Sequence, residues 1–176
     1  MKLSGKTAKS RIFFAVLFAL GFFLSATFVP YAGAPVNGEN TRVVADLLFA
    51  LSIVSGVVCE DRRAISVMAL VFGALSDFFL TPPMHLSPLL FFLGAYFSSA
   101  AVGVFTSVNA VTAAVASIPF FLMRTVSGGV FLLSSGAGAG MALKTILLPE
   151  LACNVTTVFF SYLVVNFLYK RLRRFW

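Results

Sequence analysis

The sequence predicts an all-α integral membrane protein, a bundle of six transmembrane helices with the N-terminus and the C-terminus both cytoplasmic. Three observations predict it. The 176 residues are 60% apolar and only 11% charged, with a mean hydropathy of +1.00, whereas an ordinary soluble domain carries about 25% charge. The apolar residues fall into runs bounded by charge, proline or glycine. Each run approaches the roughly 20 residues that a helix rising ~1.5 Å per residue needs to cross a ~30 Å hydrocarbon core. Finally, the basic residues gather at alternate ends of those runs. Six spans take about 120 residues and leave only short loops and two tails. A soluble enzyme and a nucleic-acid-binding domain are thereby excluded, and the net charge of +7 is read against a membrane surface.

Taken in order, residues 1–11 form a basic tail with Lys2, Lys6, Lys9 and Arg11, and the first span covers about 12–29. The tail, the apolar run and Ala32, Gly33, Ala34 together resemble a secretory signal. However, Ile12 to Val29 is longer than the ~7–15 residues of a signal core, so this segment reads as an uncleaved span. The second span, about 43–58, ends at Cys59, Glu60, Asp61, Arg62, Arg63. The third, about 64–80, stops at Thr81, Pro82, Pro83, where the prolines deny the helix its amide donors. Leu89 to Met123 carries no charge and is too long for one straight span. It suits spans at about 89–105 and 111–133 with a break near Thr106 to Ala110; one long bent helix is the other reading, and would place the C-terminus outside. Ser134 to Gly140 closes the fifth span. The sixth covers about 143–168 and is followed by a basic tail, 169–176.

Lys and Arg near span ends are retained on the cytoplasmic side. With the N-terminus inside, the cytoplasmic segments hold Lys2, Lys6, Lys9, Arg11, Arg62, Arg63, Lys170, Arg171, Arg173 and Arg174, which is ten of the 13 basic residues. Only Arg42 and Lys144 fall outside, and Arg124 lies within a span.

A charge at mid-bilayer costs about 2.5–3.5 kcal/mol on insertion scales, which makes Asp46, Asp77, Arg124 and Glu150 the candidate functional residues. All four fall in the outer half of the bundle. The expectation is an intramembrane polar layer in which Arg124 pairs with Asp77 or Glu150 and locks spans three, five and six together. Two other readings stand beside it: the aspartates are wetted at headgroup level, or the cluster relays protons or ions, although transport sites usually lie near the midplane on broken helices. A helix-packing stripe runs through span four as Gly94, Ala95, Ser98, Ser99 and Gly103, and Ala15 with Ala19 gives a weaker one in span one. Such small residues let helices approach closely in lipid, within the bundle or against a partner's helix.

No catalytic, cofactor or metal site is expected. The sequence has no Gly-rich phosphate loop, no HExxH and no GxSxG. His85 is its single histidine, and Cys59 and Cys153 read as unpaired thiols. Asn154, Val155, Thr156 matches a glycosylation sequon by letter only, because it lies inside a span.

Val43 to Leu48 with Asp46, Val71 to Phe79 with Gly73 and Asp77, and Gly94, Ala95, Tyr96 together resemble the rod shape-determining protein MreD family. Leu148, Pro149, Glu150, Leu151 through Asn154, and then Tyr169 to Arg174, are similar to that family's proline, asparagine and basic-tail ending. The resemblance covers about residues 43 to 174. The chain departs from the family pattern in the uncharged turn after span four, in Pro83, Met84, His85 without a glycine, and in Arg124 where an acidic residue is common. The resemblance implies a non-enzymatic scaffold subunit of the bacterial cell-wall elongation complex in the inner membrane. Such a subunit binds the bitopic protein MreC and helps couple MreB filaments to peptidoglycan synthases, with its basic tails on anionic lipid. The alternative reading is the substrate-binding subunit of an energy-coupling-factor vitamin transporter, also a small six-span bundle.

Overall fold

The computed structural model describes residues 5–32, 34–35, 42–43, 46–79, 87–104, 107–134 and 148–175. Among them are six α-helices: α1 (Gly5–Ala32), α2 (Leu47–Val58), α3 (Arg62–Phe79), α4 (Ser87–Gly103), α5 (Ala110–Ser134) and α6 (Leu148–Arg173). A minimal antiparallel pair, β1 (Ala34–Pro35) with β2 (Arg42–Val43), ties the segment after α1 to the segment before α2. The stretches Thr7–Thr27 and Leu148–Arg173 are long and apolar enough to cross a membrane. Leu47–Val58, Ser87–Ser98 and Ala110–Arg124 are shorter apolar helices.

The helix ends have local causes. α2 starts at Leu47, later than the expected 43, because Val43 pairs with Ala34 and the Asp46 side chain caps the helix by accepting from the Phe49 N–H at 2.9 Å. At 12 residues it rises only about 18 Å. α4 and α5 are separate helices. The break is set by Asn109, whose Oδ1 accepts from the Thr112 N–H while the Thr112 hydroxyl accepts from the Asn109 N–H, each at 2.9 Å. This reciprocal cap satisfies donors that a continuous helix would have bonded internally. Both expected tails are partly helical: α1 already begins at Gly5 and α6 continues to Arg173.

α2 is the hub. It carries no charge and is apolar on all sides, the pattern of a helix buried all round, and Leu48 to Gly56 are all buried. It packs on each of the other five helices. The closest approach is to α4. A Cβ at Gly56 would collide with the Ala95 carbonyl oxygen and the Ser98 Oγ and lie 2.8 Å from the Ala95 carbonyl carbon, so only glycine lets these backbones meet. Gly94 in turn lies against Phe49 and Ile53.

The interior is built from aromatic rings and small hydroxyls. Phe14, Phe18, Phe49, Phe91 and Phe121 are fully buried, together with Ser52, Ser66, Ser98 and Ser117. Those four hydroxyls donate to carbonyls one turn back in their own helices, Ser52 to Phe49 at 2.7 Å and Ser66 to Arg62 at 2.8 Å among them, whereas the buried Ser25 and Ser55 hydroxyls find no partner among the described residues. The outward faces are the reverse. Ile12, Val16, Leu20 and Phe23 form an exposed stripe on α1, and Phe160, Val164 and Phe167 another on α6; Phe23 is 66% and Phe160 60% exposed.

Candidate functional site

The site grows from the cap of α2. Asp46 uses one carboxylate oxygen on the Phe49 N–H, while Oδ2 forms an ion pair with a terminal nitrogen of Arg124 on α5. Both side chains are over four-fifths removed from water, at 17% and 19% exposure. The Arg124 guanidinium also lies over two rings, 5.3 Å from the Phe49 centroid and 5.6 Å from that of Phe91. Phe49 contacts Phe91 and Phe121 at 5.0 Å each, the latter edge-on. The cation is thus held by a carboxylate on one side and by π faces on the other. α5 carries Pro119 before Arg124; the missing N–H frees a carbonyl one turn earlier.

α6 completes the cluster. The Asp46 N–H donates to Oδ1 of Asn154 at 2.7 Å, and Asn154 is buried. Glu150, one turn earlier on α6 and half-buried, comes within electrostatic range of Arg124 and Asp46. Asp46, Arg124, Glu150 and Asn154 therefore join α2, α5 and α6. The expected polar layer differs in its partners: Arg124 takes Asp46 rather than Asp77 or Glu150 as its direct ion pair. Asp77 lies near the end of α3, which packs chiefly on α1, α2 and α4. Asn154 was not expected; its signal is a buried-type amide four residues after Glu150, on the same helix face.

Of the helix-packing stripe, Gly94, Ala95 and Ser98 are buried and turned onto α2. Ser99 and Gly103 lie on α4, beyond the residues whose side chains are described. His85 and Lys144 fall outside the described residues.

A second cluster ties the opposite end of the bundle. Arg11 on α1 grips Oδ2 of Asp61 through Nε at 2.8 Å and a terminal nitrogen at 2.5 Å. Arg173 on α6 pairs with Glu60 at 2.9 Å. The Ser10 hydroxyl meets the Tyr169 hydroxyl at 3.2 Å and the Cys59 sulfur at 3.6 Å. The Arg11 guanidinium holds the Asp61 carboxyl below its usual range. Burial pushes the Cys59 thiol up, against the opposing hydrogen bond from Ser10. The start of α1, the turn between α2 and α3 and the end of α6 thus lie together, and with them the basic residues of all three segments.

Between α1 and α6, over α2, runs an open groove of about 680 Å³, bounded by Leu17, Leu20 and Leu24, floored by Leu51 and walled by Thr156 and Phe160. No family model, curated protein or solved structure matches this chain. Its chemistry is therefore read from the geometry alone. Among the described residues no three His, Cys, Asp or Glu side chains converge as metal ligands, and the charged clusters join helices to one another.

Proposed function

We propose that the chain is a multi-pass protein of the bacterial inner membrane that acts as a non-enzymatic scaffold of the MreD type. In this role it binds a bitopic MreC-like partner and helps couple MreB filaments to peptidoglycan synthases. The observation that carries the reading is the distribution of polarity. Exposed Phe, Leu, Ile and Val stripes cover α1 and α6 while serines, Asn154 and an ion pair occupy the interior. Water would penalise that surface, whereas lipid accepts it and favours an interior of small residues and satisfied polar groups.

The end that gathers Arg11, Arg62, Arg63 and Arg171 to Arg174 suits the cytoplasmic face, where basic residues are retained and anionic lipid attracts them. The vitamin-transporter alternative needs a pocket rich in hydrogen-bonding groups, and the α1/α6 groove is walled mainly by aliphatic and aromatic side chains. Purification of the tagged chain from mild detergent tests the reading. Co-purification of a single-span protein with a large external domain supports it; a bound vitamin or an ATPase pair overturns it.

A further inference from the structure

We propose that the outward face of α6, together with α1, is a binding site for one anionic phospholipid of the cytoplasmic leaflet. Its phosphate sits on Lys170, Arg171 and Arg174, and an acyl chain lies in the α1/α6 groove. The proposal rests on the membrane reading above. At ~100° per residue, Thr156, Phe160, Val164, Phe167 and Arg171 fall within about 40° of a single line along α6, and Arg174 follows in the turn just after the helix. The apolar wall of the groove therefore runs on the same face into Arg171, beside which Lys170 and Arg174 line one cavity. Further along that face from the groove lies a second cavity of about 450 Å³, lined by Phe167, Lys170, Arg171 and Arg174.

Each part of the face suits one part of such a lipid. The Thr156 and Thr157 hydroxyls are spent on the Ala152 and Cys153 carbonyls at 2.8 Å each, so these two polar side chains present mainly their methyl groups to an acyl chain in a groove otherwise walled largely by Leu, Val and Phe. Arg173 is taken by Glu60, whereas among the described residues Lys170, Arg171 and Arg174 have no carboxylate partner. Three cations within two turns, two of them guanidinium forks, complement a phosphate. Phe160 to Arg171 rises about 16 Å, close to one leaflet of a ~30 Å core.

A partner helix is the other shape that could occupy such a groove. Here α1 and α6 are closed on each other at one end, where Tyr169 meets Ser10, Phe13 and Phe14. A rod about 10 Å wide could not run the length of the bundle between them, but a chain that ends within one leaflet can.

Native mass spectrometry of the full chain, titrated with phosphatidylglycerol or phosphatidylcholine of identical acyl chains, tests the site. The wild type is expected to retain phosphatidylglycerol with about a tenfold preference, or ~1.4 kcal/mol. The triple variant Lys170→Gln, Arg171→Gln, Arg174→Gln is expected to lose the preference. Val164→Trp, which fills the groove at an exposed position within the same leaflet, is expected to lower retention about tenfold with the cations intact. Equal retention of the two lipids by the wild type, or retention unchanged in both variants, overturns the site. Cross-linking of a protein helix rather than lipid to position 164 overturns it as well. A chain that fails to enter vesicles at all defeats the membrane reading itself, whereas one that enters vesicles without lipid preference defeats only the site.

Discussion

Replacing Arg124 with Met removes the cation and keeps a chain of similar length against Phe49 and Phe91. The Asp46 carboxylate then stays largely buried, with Glu150 nearby and its direct counter-charge gone. Breaking a buried pair from one side costs about 3–5 kcal/mol. The remaining exposure of 17% and 19% lowers that to about 2–4 kcal/mol, and loss of the contact with the rings adds about 0.5–1 kcal/mol. Asp46→Asn removes the charge but keeps an acceptor for the Phe49 N–H, because Asn caps as well as Asp. The double variant leaves neither charge stranded and should recover much of the loss. The assay is a double-mutant cycle on the unfolding free energy of the detergent-solubilised chain, with an expected coupling of at least about 1.5 kcal/mol. Additivity within about 0.5 kcal/mol would refute the claim that this pair holds α2 to α5.

Three further outcomes follow from the packing and the charges. Gly56→Ala should destabilise by about 2–3 kcal/mol, since the added methyl meets the α4 backbone, while Gly21→Ala should be neutral or stabilising, since it meets only the movable Leu51 Cδ1; paired thermal melts compare the two. Asn154→Ala should cost about 1–3 kcal/mol by orphaning the Asp46 N–H, measured by the same unfolding assay and contradicted by a change below about 0.5 kcal/mol. Arg11→Gln should cost about 0.2–1 kcal/mol at neutral pH, as expected of a part-exposed pair. Because Arg11 lowers the Asp61 pKa, this contribution is fully present above the ordinary Asp value of about 3.9 and disappears as acid carries the carboxyl through its depressed value. Wild-type and variant stabilities should therefore converge in acid, and a gap that persists there would contradict the assignment.

Helix number and approximate limits were legible because they depend on local chemistry. Apolar run length, the charged turn at Cys59 to Arg63 and the uncharged break before Ala110 each act within a few residues. Lateral order was not legible. Estimating depth from span ends placed Asp46, Asp77, Arg124 and Glu150 in one layer but could not say which helix stands beside which. The available clue was α2 itself, whose uncharged, all-round apolar sequence marks a central helix; putting it at the centre brings Asp46, at its cap, within reach of α5 and α6. The Gly94, Ala95, Ser98 stripe was readable as a close-packing surface, but which helix it meets depends on Gly56, which lies in another span. Asn154 escaped because an amide in an apolar run carries no partner information until α6 is set against the start of α2.

The membrane architecture underlies everything else, and cysteine accessibility tests it most directly. In a background with Cys59 and Cys153 replaced by serine, single cysteines at Lys9, Glu60 and Arg174 are treated in intact cells with a membrane-impermeant maleimide, then again after permeabilisation. All three positions should be protected at first and labelled afterwards, since the start of α1, the α2–α3 turn and the end of α6 share one end of the bundle. Labelling of any of the three in intact cells, or recovery of the chain in the soluble fraction, would contradict a six-span bundle with that end in the cytoplasm.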